Sequence, residues 1–398
     1  MIASVLNRES TADRLSSLFW EKFGTKARMF LAPGRVNLIG EHTDYNSGLI
    51  MPVAIGSYTW VAAASRRDRM LKAYSDLYDE KISLSLNQLA GPPRRHWSDF
   101  VRGIAATMQN AGHRLSGANL VVHGEVPLGA GLSSSASLEV ATALALTEIS
   151  KTRLLRLELV KLCQQAEHEY VGTRCGIMDQ FAAVFSQVGH ALMLDCRSLK
   201  SRPLPIPSNL RLVVCNSMVR HDLASGEYNQ RRADCETGVR LLRAHLPAIK
   251  ALRDVTMADL EKYQSALPER IYRRCRHVVT ENQRVLEAMY ALEAADAEKF
   301  GHLMYESHAS LREDYEVSCK ELDLLVALAS AMPGVFGARM TGGGFGGCTV
   351  NLVRVESAAD FQNKITQSYT KETGVAPAVY ICESAEGARE WVSAGNRT

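Results

Sequence analysis

Val126-Pro-Leu-Gly-Ala-Gly-Leu-Ser-Ser-Ser-Ala-Ser137 is the stretch on which the reading of this chain turns. An apolar, strand-like run at 118–126 leads into it, and a run with helical spacing at 138–149 follows. Gly129 and Gly131 let the backbone come close to a ligand. The helix start presents unpaired N–H groups and the positive end of its dipole, which together favour an anion. Ser133, Ser134 and Ser135 add hydroxyls, one of them a possible magnesium ligand. The stretch is not a Walker A loop, because no Gly-Lys-Ser/Thr follows. It also fails as a dinucleotide fingerprint, since Ser134 stands where the third glycine is required. The bland alternative is a Gly-Ser turn that merely caps a helix.

Three more segments carry chemistry. Ala32-Pro-Gly-Arg-Val-Asn-Leu-Ile-Gly-Glu-His-Thr-Asp-Tyr45 is dense in groups that orient hydroxyls: Glu41, His42 and Asp44, with Arg35 as a fixed cation. A polar surface turn is the plain reading. A metal site at His42 and Asp44 is disfavoured, because magnesium avoids imidazole and no second histidine is near. Gly176-Ile-Met-Asp179-Gln-Phe181 starts a helix with an acid in its first turn, which by itself needs no function beyond complementing the dipole. Thr341-Gly-Gly-Gly-Phe-Gly-Gly-Cys348 has five glycines in eight residues. That density fits either a tight turn or backbone passing close to a ligand or another strand.

Around these segments the chain reads as an ordinary globular protein. It has 398 residues, 46% hydrophobic and 22% charged, enough for two or three domains. The net charge of +3 gives no case for a nucleic-acid partner. The arginines at 270, 273, 274 and 276 are read as a solvated helix face. Nine cysteines without a Cys-x-x-Cys pair argue against a disulfide framework or a zinc site and for reduced thiols. No apolar signal region and no membrane-spanning run is read, so a cytoplasmic location without a membrane partner is expected.

A helix is expected from Ser10 to Gly24, strands at 28–31, 49–53 and 58–63, and a helix from 155 that Gly172 stops. A strand follows at 190–194. Prolines 203, 205 and 207 cannot sit in a central strand, which sets a domain boundary there: an N-terminal domain at 1–205 and a C-terminal domain at 206–398. The second half reads as a strand at 212–215, helices over 228–330, strands flanking the glycine turn, a helix at 358–369 and a strand at 378–382. The last strand is allowed to pack back on the first domain. Strands and helices mix without βα alternation, so the fold class is α+β.

Taken in order, the segments resemble the GHMP small-molecule kinase family. Pro33–Asn46 is similar to the signature of its galactose-acting branch, and 127–137 to the family's ATP loop. Gln164-Gln-Ala-Glu-His168 with Cys175–Gln180 is similar to its catalytic segment, and 340–348 to its third motif. The resemblance covers essentially the whole chain. It implies two α+β domains with the active site in the cleft between them. The implied activity is transfer of the γ-phosphoryl of Mg·ATP to the C1 hydroxyl of α-D-galactose, the first step of galactose use by the Leloir pathway. Asp179 and Arg35 would be catalytic. Glu41, His42, Asp44, Gly176, Asp179 and Tyr228, the last in Ser225-Gly-Glu-Tyr-Asn229, would hold the sugar. Pro127, Gly129, Ala130, Gly131, Leu132, Ser133, Ser134 and Ser135 would hold ATP, and Ser135 and Glu167 the Mg²⁺. A monomer is expected, with a dimer as the alternative. The competing implications are a sister kinase for N-acetylgalactosamine, galacturonate or arabinose, with Thr43 and the surroundings of Tyr228 deciding, or a galactose sensor without catalysis.

A carboxylate is a weak base at neutral pH, and a nearby guanidinium weakens it further. Asp179 is therefore expected to orient the sugar hydroxyl and take its proton late.

Overall fold

The structure, a computed structural model, describes residues 2–220 and 224–393, so 221–223 and 394–398 of the expected second half lie outside the described residues. Helices and sheets are mixed as an α+β fold.

A six-stranded sheet organises the first half. Its order is Arg389–Trp391, Arg28–Asn37, Pro52–Arg66, Gly117–Gly124, Met70–Ser75 and Glu80–Ser85. All neighbours are antiparallel except Met70–Ser75 with Gly117–Gly124. Alternation of side chains feeds two cores. Phe30, Ala32, Val61, Leu120 and Val122 face one layer with Val140 and Leu146 of the helix Ser134–Ser150 and Phe181 of the helix Met178–Phe185. Leu31, Trp60, Ala62 and Val121 face the other, with Leu15 and Phe19 of the helix Ile2–Phe23. Burial on both faces is why these strands read as nearly unbroken apolar runs. The first helix starts well before Ser10, and Gly24 closes it at φ +66° with its N–H donated to the Trp20 carbonyl at 2.8 Å.

The second half carries a four-stranded antiparallel sheet, ordered Val335–Thr341, Gly346–Arg354, Leu210–Arg220 and Ala378–Cys382. Helices Ala297–Glu313, Lys320–Ser330 and Ala358–Thr373 pack against it, and Glu269–Glu293 packs on Ala297–Glu313. Pro203 and Pro205 lie in Lys200–Pro205, the edge strand of a small third sheet, where a missing N–H costs no ladder bond.

Two local features differ from the sequence reading and shape the site. The strand at 378–382 stays in the second sheet, and a further short strand, Arg389–Trp391, returns to pair with Arg28–Asn37. The helix read as running from 155 to Gly172 is an α-helix only over Arg156–Ala166, then a π-helical turn over Glu167–Val171. Such turns recur at functional sites, and this one begins at Glu167. Among the described residues no helix is long and apolar enough to cross a membrane.

Candidate active site

One cavity of about 240 Å³ collects residues from both halves of the sequence. Arg35, Glu41, His42, Asp44, Gly129, Gly131, Leu132, Ser133, Ser134, Ser135, Glu167, Gly176, Asp179 and Tyr228 all line it. Pro127 and Ala130 do not: Pro127 is half-buried beside the cavity, and Ala130 is in the core under Gly347.

Backbone packing shapes the side of the cavity formed by the glycine-serine loop. Gly129 (φ +64°), Gly131 (φ +73°) and Ser133 (φ +62°) adopt left-handed conformations, so the loop folds tightly onto the start of the helix Ser134–Ser150. The glycine turn at 341–347 lies directly against this loop. A Cβ on Gly342 would sit 2.8 Å from the Gly131 Cα, and one on Gly347 2.9 Å from the Ala130 carbonyl oxygen. Backbone thus meets backbone, and Gly342 and Gly343 also line the cavity. The turn joins the strands Val335–Thr341 and Gly346–Arg354, and its backbone also passes close to the loop at 130–131. The Ser133 hydroxyl is buried without a partner among the described residues, on the wall where an anion would bring acceptors.

Arg35 joins the two sides. It is 4% exposed, donates from Nε and Nη2 to Asp179 Oδ1 at 2.9 and 2.7 Å, and donates from Nη1 to the Gly131 carbonyl at 2.5 Å. Asp179 projects from the first turn of its helix and is the more exposed partner of the pair.

The opposite side is built from largely buried side chains. Glu41, 1% exposed, accepts from Asn37 Nδ2 and from the Gly342 N–H, both at 2.5 Å. Burial raises its pKa, against the pull of Arg339 and Arg35. Burial, with Asp179 nearby, pushes the Asp44 carboxyl up to about 6. Gly176 is obligatory beside it, because any Cβ there would collide with the Asp44 carboxylate. His42, at φ +62°, is held neutral, its pKa lowered to about 3 by burial and by His277. Its Nδ1 lies 2.8 Å from the Tyr45 hydroxyl, and its Nε2 is buried without a partner among the described residues. Tyr228, from the helix Ala224–Leu242, packs on the ring with centroids 5.4 Å apart.

Thr43 departs from its expected part in sugar choice. It is fully buried, does not line the cavity, and its hydroxyl donates to the carbonyls of Gly40 (2.8 Å) and Leu49 (2.6 Å). The hydroxyl closes the loop, because a threonine flanked by two buried carbonyls satisfies the backbone first.

The candidate cation ligands meet at the helix start. Ser135 donates to Glu167 Oε1 at 3.2 Å. Behind them Gln180, fully buried, donates to Glu167 Oε2 at 2.8 Å and to Glu139 Oε2 at 3.0 Å. An all-oxygen pair at a phosphate loop suits magnesium, which keeps waters and substrate oxygens in its remaining positions.

Sequence reasoning missed the neighbouring apolar pocket of about 110 Å³. Leu77, Tyr78, Trp97 and Phe100 line it, and it shares Ser134 and Ser135 with the main cavity. Tyr78 and Trp97 stack at 6.4 Å. They sit in a turn and at a helix start with no spacing signal. Arg339 and Gln180 were missed as supports, because their partners are distant in sequence, and Asn37 was missed although its side chain bonds Glu41 only four residues on.

Comparison with known proteins gives the family. Residues 17–65 match the galactokinase galactose-binding signature, 99–187 the GHMP kinases N terminal domain and 288–371 the GHMP kinases C terminal model. A galactokinase of Roseiflexus sp. (strain RS-1) is 46% identical over 94% of this chain and 95% of that protein. One of Chloroflexus aggregans is 48% identical over 90% and 92%. The crystal structure of Lactococcus lactis galactokinase complexed with galactose superposes with a TM-score of 0.93 at 35% identity, covering 96% of this chain and all of that one. A mevalonate kinase at 18% identity and a TM-score of 0.61 shares the fold. With curated relatives this similar over nearly their whole length, the chain belongs to the galactokinases of the GHMP kinase family.

Proposed function

We propose that this ATP-using sugar kinase transfers the γ-phosphoryl group of Mg·ATP to the C1 hydroxyl of α-D-galactose, giving α-D-galactose 1-phosphate and ADP. The observation that carries the reading is Arg35, which spans Asp179 and the Gly131 carbonyl and so ties a carboxylate on the sugar side to the phosphate loop.

Phosphoryl transfer needs positioning and charge neutralisation more than covalent help. The Ser133–Ser135 hydroxyls and the free N–H groups of the helix start hold the phosphates, and the Tyr78–Trp97 pocket takes the apolar base. Ser135 and Glu167 would hold the Mg²⁺, which when bound would offset charge on the transferring group. Glu41 and Asp44 accept hydrogen bonds from sugar hydroxyls, with His42 and Tyr228 closing the remaining side. Asp179 orients the O1 hydroxyl and accepts its proton late. Arg35 stabilises the developing charge between O1 and the phosphoryl group. A site built to bond an axial C4 hydroxyl leaves buried polar groups unpaired with the equatorial epimer, which discriminates strongly.

The test is ADP release with galactose, N-acetylgalactosamine, galacturonate and arabinose side by side. Galactose is expected to give the highest kcat/KM. Faster turnover of another sugar overturns the substrate, and tight galactose binding with no turnover overturns the kinase reading in favour of a sensor.

A further inference from the structure

Glu167 is held by side chains that have no part in the transfer itself. Its Oε2 takes two donors from the protein, the Gln180 amide at 2.8 Å and the Cys175 thiol at 3.5 Å. Its Oε1 takes only the Ser135 hydroxyl, at 3.2 Å, among the described residues. The Gln180 amide has two N–H bonds and spends the second on Glu139 Oε2 at 3.0 Å. Glu139 stands four residues after Ser135 on the helix Ser134–Ser150, one turn along the same face. Ser135, Glu167, Gln180 and Glu139 therefore close a ring. It ties that helix to the π-helical turn and to the helix Met178–Phe185. Gln180 and Glu139 are fully buried and Glu167 nearly so. Cys175 is anchored in its turn. Its carbonyl accepts from Gln164 Nε2 at 3.3 Å and from His168 Nε2 at 2.8 Å, two residues that flank Glu167 in the sequence.

We propose that Gln180 and Cys175 are positioning residues that keep Oε2 of Glu167 occupied, so that Glu167 offers a cation one oxygen, Oε1, and the site favours Mg²⁺ over Ca²⁺. This rests on the kinase reading above, in which Ser135 and Glu167 are the protein's ligands. Mg²⁺ is small and octahedral, and it fills most of its positions with waters and substrate phosphate oxygens. One carboxylate oxygen and one hydroxyl suit it. Ca²⁺ takes more oxygens in a looser shell and gains from a carboxylate that binds through both of its oxygens. A second oxygen from Glu167 would have to come away from two donors. It would leave one N–H of the fully buried Gln180 amide without a partner, which costs the full desolvation of that group. Glu139 cannot stand in as a further ligand, because it is fully buried and does not line the cavity. Partners of this kind, behind a ligand and outside the cation's reach, orient the ligand and tune the metal.

The experiment is calorimetry on the full chain, saturated with galactose and titrated with ADP in excess Mg²⁺ or in excess Ca²⁺. The wild type is expected to bind MgADP at least about tenfold more tightly than CaADP. Gln180→Leu removes the amide donor at similar side-chain size. It is expected to weaken MgADP about tenfold and CaADP by no more than about twofold, so that most of the preference disappears. Cys175→Ala removes the weaker donor and is expected to narrow the preference about twofold to threefold. A purely structural role would weaken both complexes by the same factor and leave their ratio at the wild-type value. A wild type without preference, or a wild-type ratio in the folded variants, overturns the proposal. If Gln180→Leu does not fold, Cys175→Ala decides by the same ratio. Failure of the kinase reading shows separately, because the wild type would then bind ADP no better with either metal than without one.

Discussion

The loop at 127–137, proposed to hold phosphate, and the loop at 33–46, proposed to hold the sugar, face each other across Arg35, and they are built on different principles. The first works through backbone. Its glycines and Ser133 take left-handed conformations, Gly129 is exposed, and its neighbours are other glycines. The second works through side chains that are mostly buried, in a loop that is also tied to segments far away in sequence. Asn37 N–H bonds Thr341 Oγ1, Gly40 N–H bonds Glu281, and Glu41 bonds Gly342. A phosphate can be met by N–H groups that any residue supplies, whereas telling one hydroxyl pattern from another takes fixed acceptors and donors in a dry site.

The largest expected effect sits between the two. Asp179→Asn should lower kcat about a thousandfold while galactose affinity, measured by calorimetry, stays within a few-fold. Turnover retained within tenfold would place Asp179 with the sugar contacts instead. Next comes the sugar loop itself. Asp44→Ala should weaken galactose binding about tenfold to a hundredfold, more than any other single change in that loop, with ATP binding untouched. Unchanged galactose affinity would break the contrast. On the phosphate side, Gly342→Ala puts a methyl against Gly131 at a positive φ. A stability loss of about 2 kcal/mol by denaturant titration is expected, with a raised ATP KM. Normal stability and ATP binding would show that the close backbone approach is dispensable.

A smaller effect follows from the Asp44 carboxyl, whose pKa is pushed up to about 6 by burial. Sugar hydroxyls donate to the ionised form. As pH falls through 6 the free protein takes up a proton there, so galactose affinity should drop by at most about tenfold per pH unit. Asp44→Asn should abolish that dependence. Smallest is Thr43→Val, which strips the hydroxyl from two buried carbonyls. It should cost about 1 kcal/mol in stability and leave the sugar preference unchanged. An altered preference would return Thr43 to the recognition surface.

Much of this was legible in the chain. Strand, glycine-serine turn and helix were readable at 118–149 because the features that make an anion site there are local. The nearly unbroken apolar runs of the first sheet were readable because both faces are buried. The returning strand Arg389–Trp391 was not, since three residues carry no period and its partner is Arg28–Asn37 at the far end of the chain. The π-helical turn at Glu167 was hidden for a similar reason: it changes the bond pattern, not the residue pattern. Thr43 looked like a recognition residue because it lies between His42 and Asp44. Its direction depends on carbonyls that only the folded loop brings together.

By itself the sequence determined the glycine-serine loop between strand and helix, the amphipathic elements and the polar residue types of the loop at 33–46. Each depends on neighbours within a turn or two of chain. Only the tertiary structure decided which of those residues converge, that His42 is neutral with one ring nitrogen left for a ligand, and that Asp44 titrates near 6. Protonation states of buried groups are set by desolvation and by charges and hydrogen bonds that arrive from distant segments, and no local pattern encodes them.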